Sequence, residues 1–327
     1  MSTENSFDLL RGADPARPPL ALIAGPTASG KSDLAVALAL ELARRGRRAV
    51  VVNADSAQVY ADLAVLSARP SAGDMRGIAH RLYGAWDGAV SCSAADWAAA
   101  ARVEIAAIHA DGAVPILVGG TGLYIRTLLD GIAPVPAIAP EVRGEVRALP
   151  LDEAYAALRR EDPARAAMLA PADAARIARA LEVVRSTGRT LADWQGEVSG
   201  GIGPAVTLHP AILLPDRAAL YARCDMRFAR MIASGAIAEV RALLARGLAP
   251  DLPVMRAIGV PEIAGFLRAE WSIEEASRRA AQATRNYAKR QFTWLRHQPP
   301  AHWPRLDYDN FDIDVTKEIL FRIFHLT

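Results

Sequence analysis

Cysteine is nearly absent: the 327-residue chain has two, Cys92 and Cys224, far apart and with no CxxC pair or Cys/His cluster. That excludes a disulfide framework and a structural zinc site, and makes a reducing cytoplasm the expected compartment. Long apolar runs are missing as well. Hydrophobic residues make up 52% of the chain, but Arg, Asp and Glu interrupt every alanine-rich stretch. None approaches the roughly 18 residues that a spanning helix needs, so no membrane partner is expected. The opening MSTENSFDLLRGADPARPP has no basic segment followed by an apolar one, which predicts a short disordered tail over 1–18 rather than a signal peptide. Neither sign of charge prevails, since 38 basic against 36 acidic residues leave +2. Taken globally, that balance says nothing about nucleic acid. Lysine is scarce, with only Lys31, Lys289 and Lys317 among the basic residues. A lysine kept in so arginine-rich a composition is informative.

What is present is enough for about two domains at ordinary domain size. Residues 20–24, LALIA, form an apolar run of strand length. Gly25-Pro26-Thr27-Ala28-Ser29-Gly30-Lys31-Ser32 follows, and then a helically spaced DLAVALALELARR. This is GxxxxGK[ST] between a strand and a helix, a nucleotide-binding, ATP-binding-like pattern. Its glycines let backbone N–H groups turn inward around phosphate, and the helix N-terminus adds its positive end. Lys31 supplies a point charge for terminal phosphates, and the Ser32 hydroxyl suits a magnesium ion. A ligand-free glycine turn is the bland alternative. The motif alone does not name a reaction, because kinases, ATPases and GTPases share it.

Two further strand ends narrow the chemistry. AVVVN (49–53) runs into Ala54-Asp55-Ser56-Ala57-Gln58-Val59-Tyr60, which puts Asp55 at the carboxyl end of a strand, where open parallel sheets bind ligands. A carboxylate there serves as general base, positions a nucleophile, holds magnesium through water, or merely caps the next helix. AVPILV (113–118) ends in Gly119-Gly120-Thr121-Gly122-Leu123-Tyr124, with no terminal Asp of the kind that holds magnesium water in many P-loop NTPases. Its glycines permit close backbone approach, and Thr121 can hydrogen-bond a ligand without adding charge.

The organisation reads as α/β. Four prolines in GIAPVPAIAP (131–140) and the glycine-rich GEVSGGIGP (196–204) mark two linkers around a block without strand candidates. Strand character returns at 206–214, so the block is best read as an insertion. The expected domains are a P-loop NTPase-like parallel-sheet core over 19–136 and 205–300, an all-helical insertion over 137–204, and a C-terminal tail over 301–327. Arg176 and Arg179 lie a turn apart with Glu182, which reads either as a solvated salt-bridged face or as an RNA contact. On the predicted helix 272–296, Arg278, Gln282, Arg285, Lys289, Phe292 and Arg296 recur at steps of three and four, opposite Ala276, Ala280, Ala283, Tyr287 and Trp294. One face docks and the other presents cations suited to a phosphate backbone.

GPTASGKS, DSAQVY and ILVGGTGLY, in this order and spacing, resemble the tRNA dimethylallyltransferases, or isopentenyltransferases. LSARP (66–70), DPARA (162–166), RIARALEV (176–183), MRAIGV (255–260) and TRNYAKRQ (284–291) extend the resemblance over about residues 20–296. The family's usual His-His is here Ala79-His80, its later Asp-Pro is Asp87-Gly88, its lysine is Arg69, and its Ile-Gly-Tyr is Ile258-Gly259-Val260. The resemblance implies transfer of a dimethylallyl group from dimethylallyl pyrophosphate to N6 of the adenosine 3′ of the anticodon. It implies catalysis by Asp55 and Thr121, with magnesium at Ser32. Donor contacts fall on residues 25–32 together with Arg223 and Arg227, which stand four apart on one helix face. For the tRNA anticodon stem-loop it implies Asp55, Ser56, Ala57, Gln58, Thr121 and Arg143, the segment Ala175-Arg176-Ile177-Ala178-Arg179, and Arg256, Arg285, Lys289 and Arg290. A cytoplasmic monomer is expected. The competing readings are a small-molecule P-loop kinase, a prenyltransferase for free adenine nucleotides, and a non-catalytic tRNA binder that uses ATP to change shape.

Overall fold

The computed structural model describes residues 17–306. The expected tails therefore lie outside the described residues, except for their inner ends. In chain order the larger unit begins with β1 (Pro19–Ala24), α1 (Lys31–Arg44), β2 (Ala49–Asn53), α2 (Ala72–Met75), β3 (Ala79–Arg81), α3 (Ala94–Ala110), β4 (Val114–Gly119) and α4 (Gly122–Leu129). The smaller unit contains β5 (Gly131–Ile132), α5 (Pro140–Ala148), α6 (Leu151–Glu161), α7 (Pro163–Met168), α8 (Ala174–Thr187), α9 (Leu191–Gln195) and β6 (Ser199–Gly200). The larger unit resumes with β7 (Thr207–Leu213), α10 (Arg217–Ala233), α11 (Ala236–Ala245), α12 (Val260–Leu267), α13 (Ile273–His297) and β8 (Arg305–Leu306). The units divide at 129–201 against the rest.

Six parallel strands make the sheet of the larger unit, in the order β3-β2-β4-β1-β7-β8. Strands covered on both faces read as continuous apolar runs, and β1 and β4 are buried along nearly their whole length. Leu34, Leu38 and Leu42 recur on one face of α1 and pack with Ala21, Ile23, Val51, Ile116 and Leu213. β1 lies directly between β4 and β7, so the loops after β1 and β4 open side by side at the carboxyl end of the sheet. The edge strands β3 and β8 were not foreseen; each is too short and too polar to show as an apolar run, and β8 falls where a tail was expected.

The smaller unit holds a separate core of Val146, Leu158, Ile177, Ala180 and Leu181, and its two ends of chain pair as the antiparallel strands β5 and β6. Asp162 caps α7 and Asp173 caps α8, each accepting a backbone N–H three residues on.

Candidate active site

The phosphate loop leads from β1 into α1, whose N-cap is Gly30 at φ 82, with no side-chain cap. A residue with a Cβ is strained there, and the uncapped first turn leaves N–H groups for an anion. Lys31 is buried and donates to the Pro26 carbonyl at 3.3 Å. Burial pulls its ammonium down to about 8, with Asp55 opposing that shift and Arg227 adding to it. From α10, Arg223 donates through Nε to the Ala28 carbonyl at 3.0 Å, while its Nη2 is buried without a protein partner. Arg227 reaches the Thr27 hydroxyl at 3.4 Å and the Ser67 carbonyl at 3.2 Å. Ala28, Ser29, Gly30, Lys31 and Ser32 line a cavity of about 600 Å³ with Arg223, Arg227 and Arg230. A buried N–H left without a partner is costly, and a bound anion relieves that cost.

A second cavity, of about 330 Å³, holds Asp55, Thr27, Tyr287, Arg256 and Arg290 beside apolar Leu63, Leu66, Phe228 and Met231. Arg227 is the side chain common to the two cavities. Asp55 sits on a turn made rigid by Asn53, whose amide accepts the Asp55 N–H at 2.9 Å and donates to the Asp55 and Leu82 carbonyls at 3.1 Å. One Asp55 oxygen accepts the Ala57 N–H at 3.0 Å, which ties the turn locally; no helix starts here for it to cap, since the next, α2, begins at Ala72. Thr121 accepts the Ser56 N–H at 3.0 Å and donates to the Ser56 hydroxyl at 3.2 Å. Tyr287 approaches the same two hydroxyls, and burial together with the Asp55 charge pushes its phenol up to about 12. Gln58 spends its amide on the Ser67 and Ala68 carbonyls, at 3.0 and 2.9 Å.

The glycines at the end of β4 serve the close backbone approach expected of them: a Cβ on Gly119 would stand 2.1 Å from the Ala54 carbonyl oxygen, and one on Gly120 would stand 2.6 Å from that of Gly25. They let three backbone segments meet, and Thr121 is placed by that meeting.

On α13, Arg278, Gln282, Lys289 and Arg296 are exposed as the spacing predicts. Arg285 is partly buried and paired with Asp225, and Arg278 is paired with Glu275 at 2.7 Å. Phe292 does not belong to that face: it is buried, with Arg217 4.7 Å above its ring. Sequence reasoning missed the role of Gln291. Its side chain, 5% exposed, accepts the Thr27 N–H at 2.8 Å, and its Nε2 has no partner. The only signal was its place in the TRNYAKRQ run.

In the smaller unit, Arg143, Ala175, Arg176 and Arg179 are exposed. Arg176 pairs with Asp173 at 3.1 Å, and Arg179 lies 3.9 Å from Glu182, which Arg147 also holds at 2.9 Å. Burial lowers the proton affinity of Arg179; Glu182 opposes this and the like charge of Arg143 adds to it. Ile177, expected among the RNA contacts, is corrected: its side chain is fully buried in the unit's core, because position 177 faces opposite to the arginines on α8. Ala178 is half-buried against that core.

A family model described as IPP transferase matches residues 58–298. A tRNA dimethylallyltransferase of Novosphingobium aromaticivorans is 69% identical, over 84% of this chain and 97% of its own. The one from Erythrobacter litoralis is 64% identical, over 94% and 96%. A solved eukaryotic dimethylallyltransferase acting on tRNA aligns with a TM-score of 0.74 at 25% identity, over 89% of this chain and 74% of that one. With a cationic phosphate-loop cavity and a carboxylate cavity meeting at one arginine, and with relatives this similar along almost its whole length, the chain belongs to the IPP transferase family.

Proposed function

We propose that the protein transfers the dimethylallyl group of dimethylallyl pyrophosphate to N6 of an adenosine in tRNA, the one 3′ of the anticodon, and releases pyrophosphate. The observation that carries this reading is the single guanidinium, Arg227, common to a cationic phosphate-loop cavity and an apolar cavity containing Asp55. Pyrophosphate sits among the loop N–H groups, Lys31, Arg223 and Arg227. The allylic carbon and the adenine occupy the second cavity. As the C–O bond breaks, negative charge grows on the leaving pyrophosphate, and the fixed cations stabilise it without reorganising. The new bond forms between N6 and the allylic carbon, and the N6 proton passes to the Asp55 carboxylate. Adenine must leave its stack to reach this depth, and Thr121 and Ser56, locked to each other, offer it fixed hydrogen-bonding groups.

Magnesium belongs to the same reading. The described residues include no group of three His, Cys, Asp or Glu able to cage an ion. Magnesium, however, usually keeps several waters and takes one or two protein oxygens plus substrate phosphates, and the Ser32 hydroxyl on the cationic cavity fits that donor set. Ser32 would hold the ion, which would add positive charge beside the pyrophosphate. No helix among the described residues is long and apolar enough to cross a membrane. The reading takes the protein as a cytoplasmic monomer, and its low cysteine content supports that compartment.

The test is nucleoside mass spectrometry of tRNA incubated with protein, dimethylallyl pyrophosphate and magnesium. The expected product is N6-dimethylallyladenosine at the position following the anticodon. Unmodified tRNA, or phosphate transfer from ATP to a small molecule, overturns the reading.

A further inference from the structure

The turn that follows Asp62 contributes Leu63, Leu66 and Ser67 to the Asp55 cavity and Ala68 to the phosphate cavity. Its backbone is strained, since Ala68 has φ 47, a left-handed conformation that a side chain disfavours. Such a conformation persists only where its surroundings over-determine it. Part of the restraint comes from Gln58 on the Ser67 and Ala68 carbonyls. Bonds within the turn, Ala68 N–H to the Val65 carbonyl and Arg69 N–H to the Ala64 carbonyl, both at 2.9 Å, add to it, and a further restraint comes from α11, 170 or more positions away in the chain. One oxygen of Glu239 accepts the N–H groups of Ala64 at 2.6 Å and Val65 at 2.8 Å, and the other accepts that of Leu66 at 2.9 Å. Three convergent backbone N–H groups form an anion-binding nest, and the carboxylate of Glu239 fills it. At the end of the same helix Arg246 pairs with Asp62 and, at 2.6 Å, with Asp87, fixing where the turn begins. The Ser67 carbonyl that the turn presents is the oxygen to which Arg227 donates at 3.2 Å.

We propose that Glu239 is a positioning residue for donor binding: by filling the nest at 64–66 it holds the Ser67 carbonyl in place, and through that carbonyl it aims Arg227 between the two cavities. Neither the phosphate-loop motif nor the basic helix includes Glu239, and it lines neither cavity. A carboxylate accepts all three N–H groups. An amide in its place turns an NH₂ group toward at least one of them, so Glu239→Gln loosens the turn while keeping its volume. The inference rests on pyrophosphate binding beside Arg227, as in the proposed function.

The experiment is calorimetric titration of the full chain with inorganic pyrophosphate and magnesium, in a double-mutant cycle. Wild type, Glu239→Gln, Arg227→Ala and the double variant are compared, with thermal melts to confirm folding. Glu239→Gln is expected to weaken pyrophosphate about tenfold in the wild-type background and less than about threefold when Arg227 is already alanine, because its route is then gone. Arg246→Gln, which loosens the turn from its other end, should show the same dependence with a smaller first effect, and it serves in place of Glu239→Gln if that variant does not fold. Formate should restore part of the pyrophosphate affinity of Glu239→Ala by filling the nest, a recovery that a general folding defect would not show. Unchanged pyrophosphate affinity in Glu239→Gln, or equal losses with and without Arg227, overturns the inference. Failure of wild type to bind pyrophosphate at all overturns instead the donor reading on which it stands.

Discussion

The side-chain oxygen of Gln291 accepts the backbone N–H of Thr27 at 2.8 Å, so the helix that carries the exposed cations is tied directly to the first turn of the phosphate loop. The bond spans 264 positions of sequence and is part-buried. Its acceptor fixes the loop residue whose hydroxyl also receives Arg227. A net hydrogen bond is worth about 1 kcal/mol, or roughly fivefold in an equilibrium constant. Gln291→Leu removes the acceptor while keeping similar bulk, so the KM for dimethylallyl pyrophosphate is expected to rise about fivefold with little change in the KM for tRNA. Steady-state kinetics with each substrate varied in turn checks this. An unchanged donor KM would show that the loop keeps its shape without α13.

Lys31 gives the donor site a pH dependence whose sign is fixed. Burial lowers its ammonium to about 8 in the free protein, so the charge is present below that value and lost above it. Bound pyrophosphate favours the protonated form and moves the transition upward. Donor KM should therefore be flat below about pH 8 and climb above it, while kcat stays level over the same range. Lys31→Ala should remove the inflection and, like Arg227→Ala, impair donor turnover while leaving tRNA affinity nearly unchanged. Initial rates across pH 6–10 (roughly the range that brackets the group) decide it. An inflection that persists in Lys31→Ala would assign it elsewhere.

Asp55→Asn keeps the shape of the turn, because its Oδ1 still accepts the Ala57 N–H, but removes the proton acceptor. If Asp55 takes the N6 proton, kcat should fall by roughly 10²-fold or more with a modest change in donor KM. Single-turnover prenylation measures the chemical step directly. A near-normal rate would leave Asp55 the local role of tying its turn, with the proton passing to water.

Local and helical signals were the legible ones. The phosphate loop is contiguous, and Arg223 and Arg227 are four apart on one helix, so spacing alone puts both on a face. Strands buried on both sides appear as apolar runs, which is why β1, β2, β4 and β7 were visible and the short edges β3 and β8 were not. Contacts between distant segments leave no period to read. Glu239 meets residues 64–66, and Gln291 meets Thr27, across 173 or more positions of chain. The glycines 119–120 carry a legible message, close backbone approach, but nothing local names Ala54 and Gly25 as the segments that approach. Ile177 shows the limit of transferring a segment whole: a helix turns every residue by about 100°, so five consecutive positions do not share one surface.

A tRNA substrate is distinguished from a free nucleotide by the arginines of the smaller unit. Arg176 and Arg179 are exposed on α8, each beside a single carboxylate, Asp173 at 3.1 Å and Glu182 at 3.9 Å. Exposed pairs of this kind contribute little to stability, about 0–1 kcal/mol, so removing the arginines should leave the fold intact. Glu182, 3% exposed, keeps Arg147 as a partner at 2.9 Å in the double variant. If both arginines contact phosphates, each releases close to one counterion, and the slope of log affinity against log salt should flatten by roughly two units in Arg176→Ala/Arg179→Ala. Donor kinetics should not change, since neither residue lines the donor cavity. A minimal anticodon stem-loop should be prenylated, and AMP, with too few phosphates to engage such a surface, should be a negligible substrate. Filter binding of the stem-loop across a salt series, alongside turnover of AMP, supplies both measurements. An unchanged slope with intact activity would make these arginines an ordinary salt-bridged surface, and AMP turnover equal to that of the stem-loop would make the substrate a nucleotide.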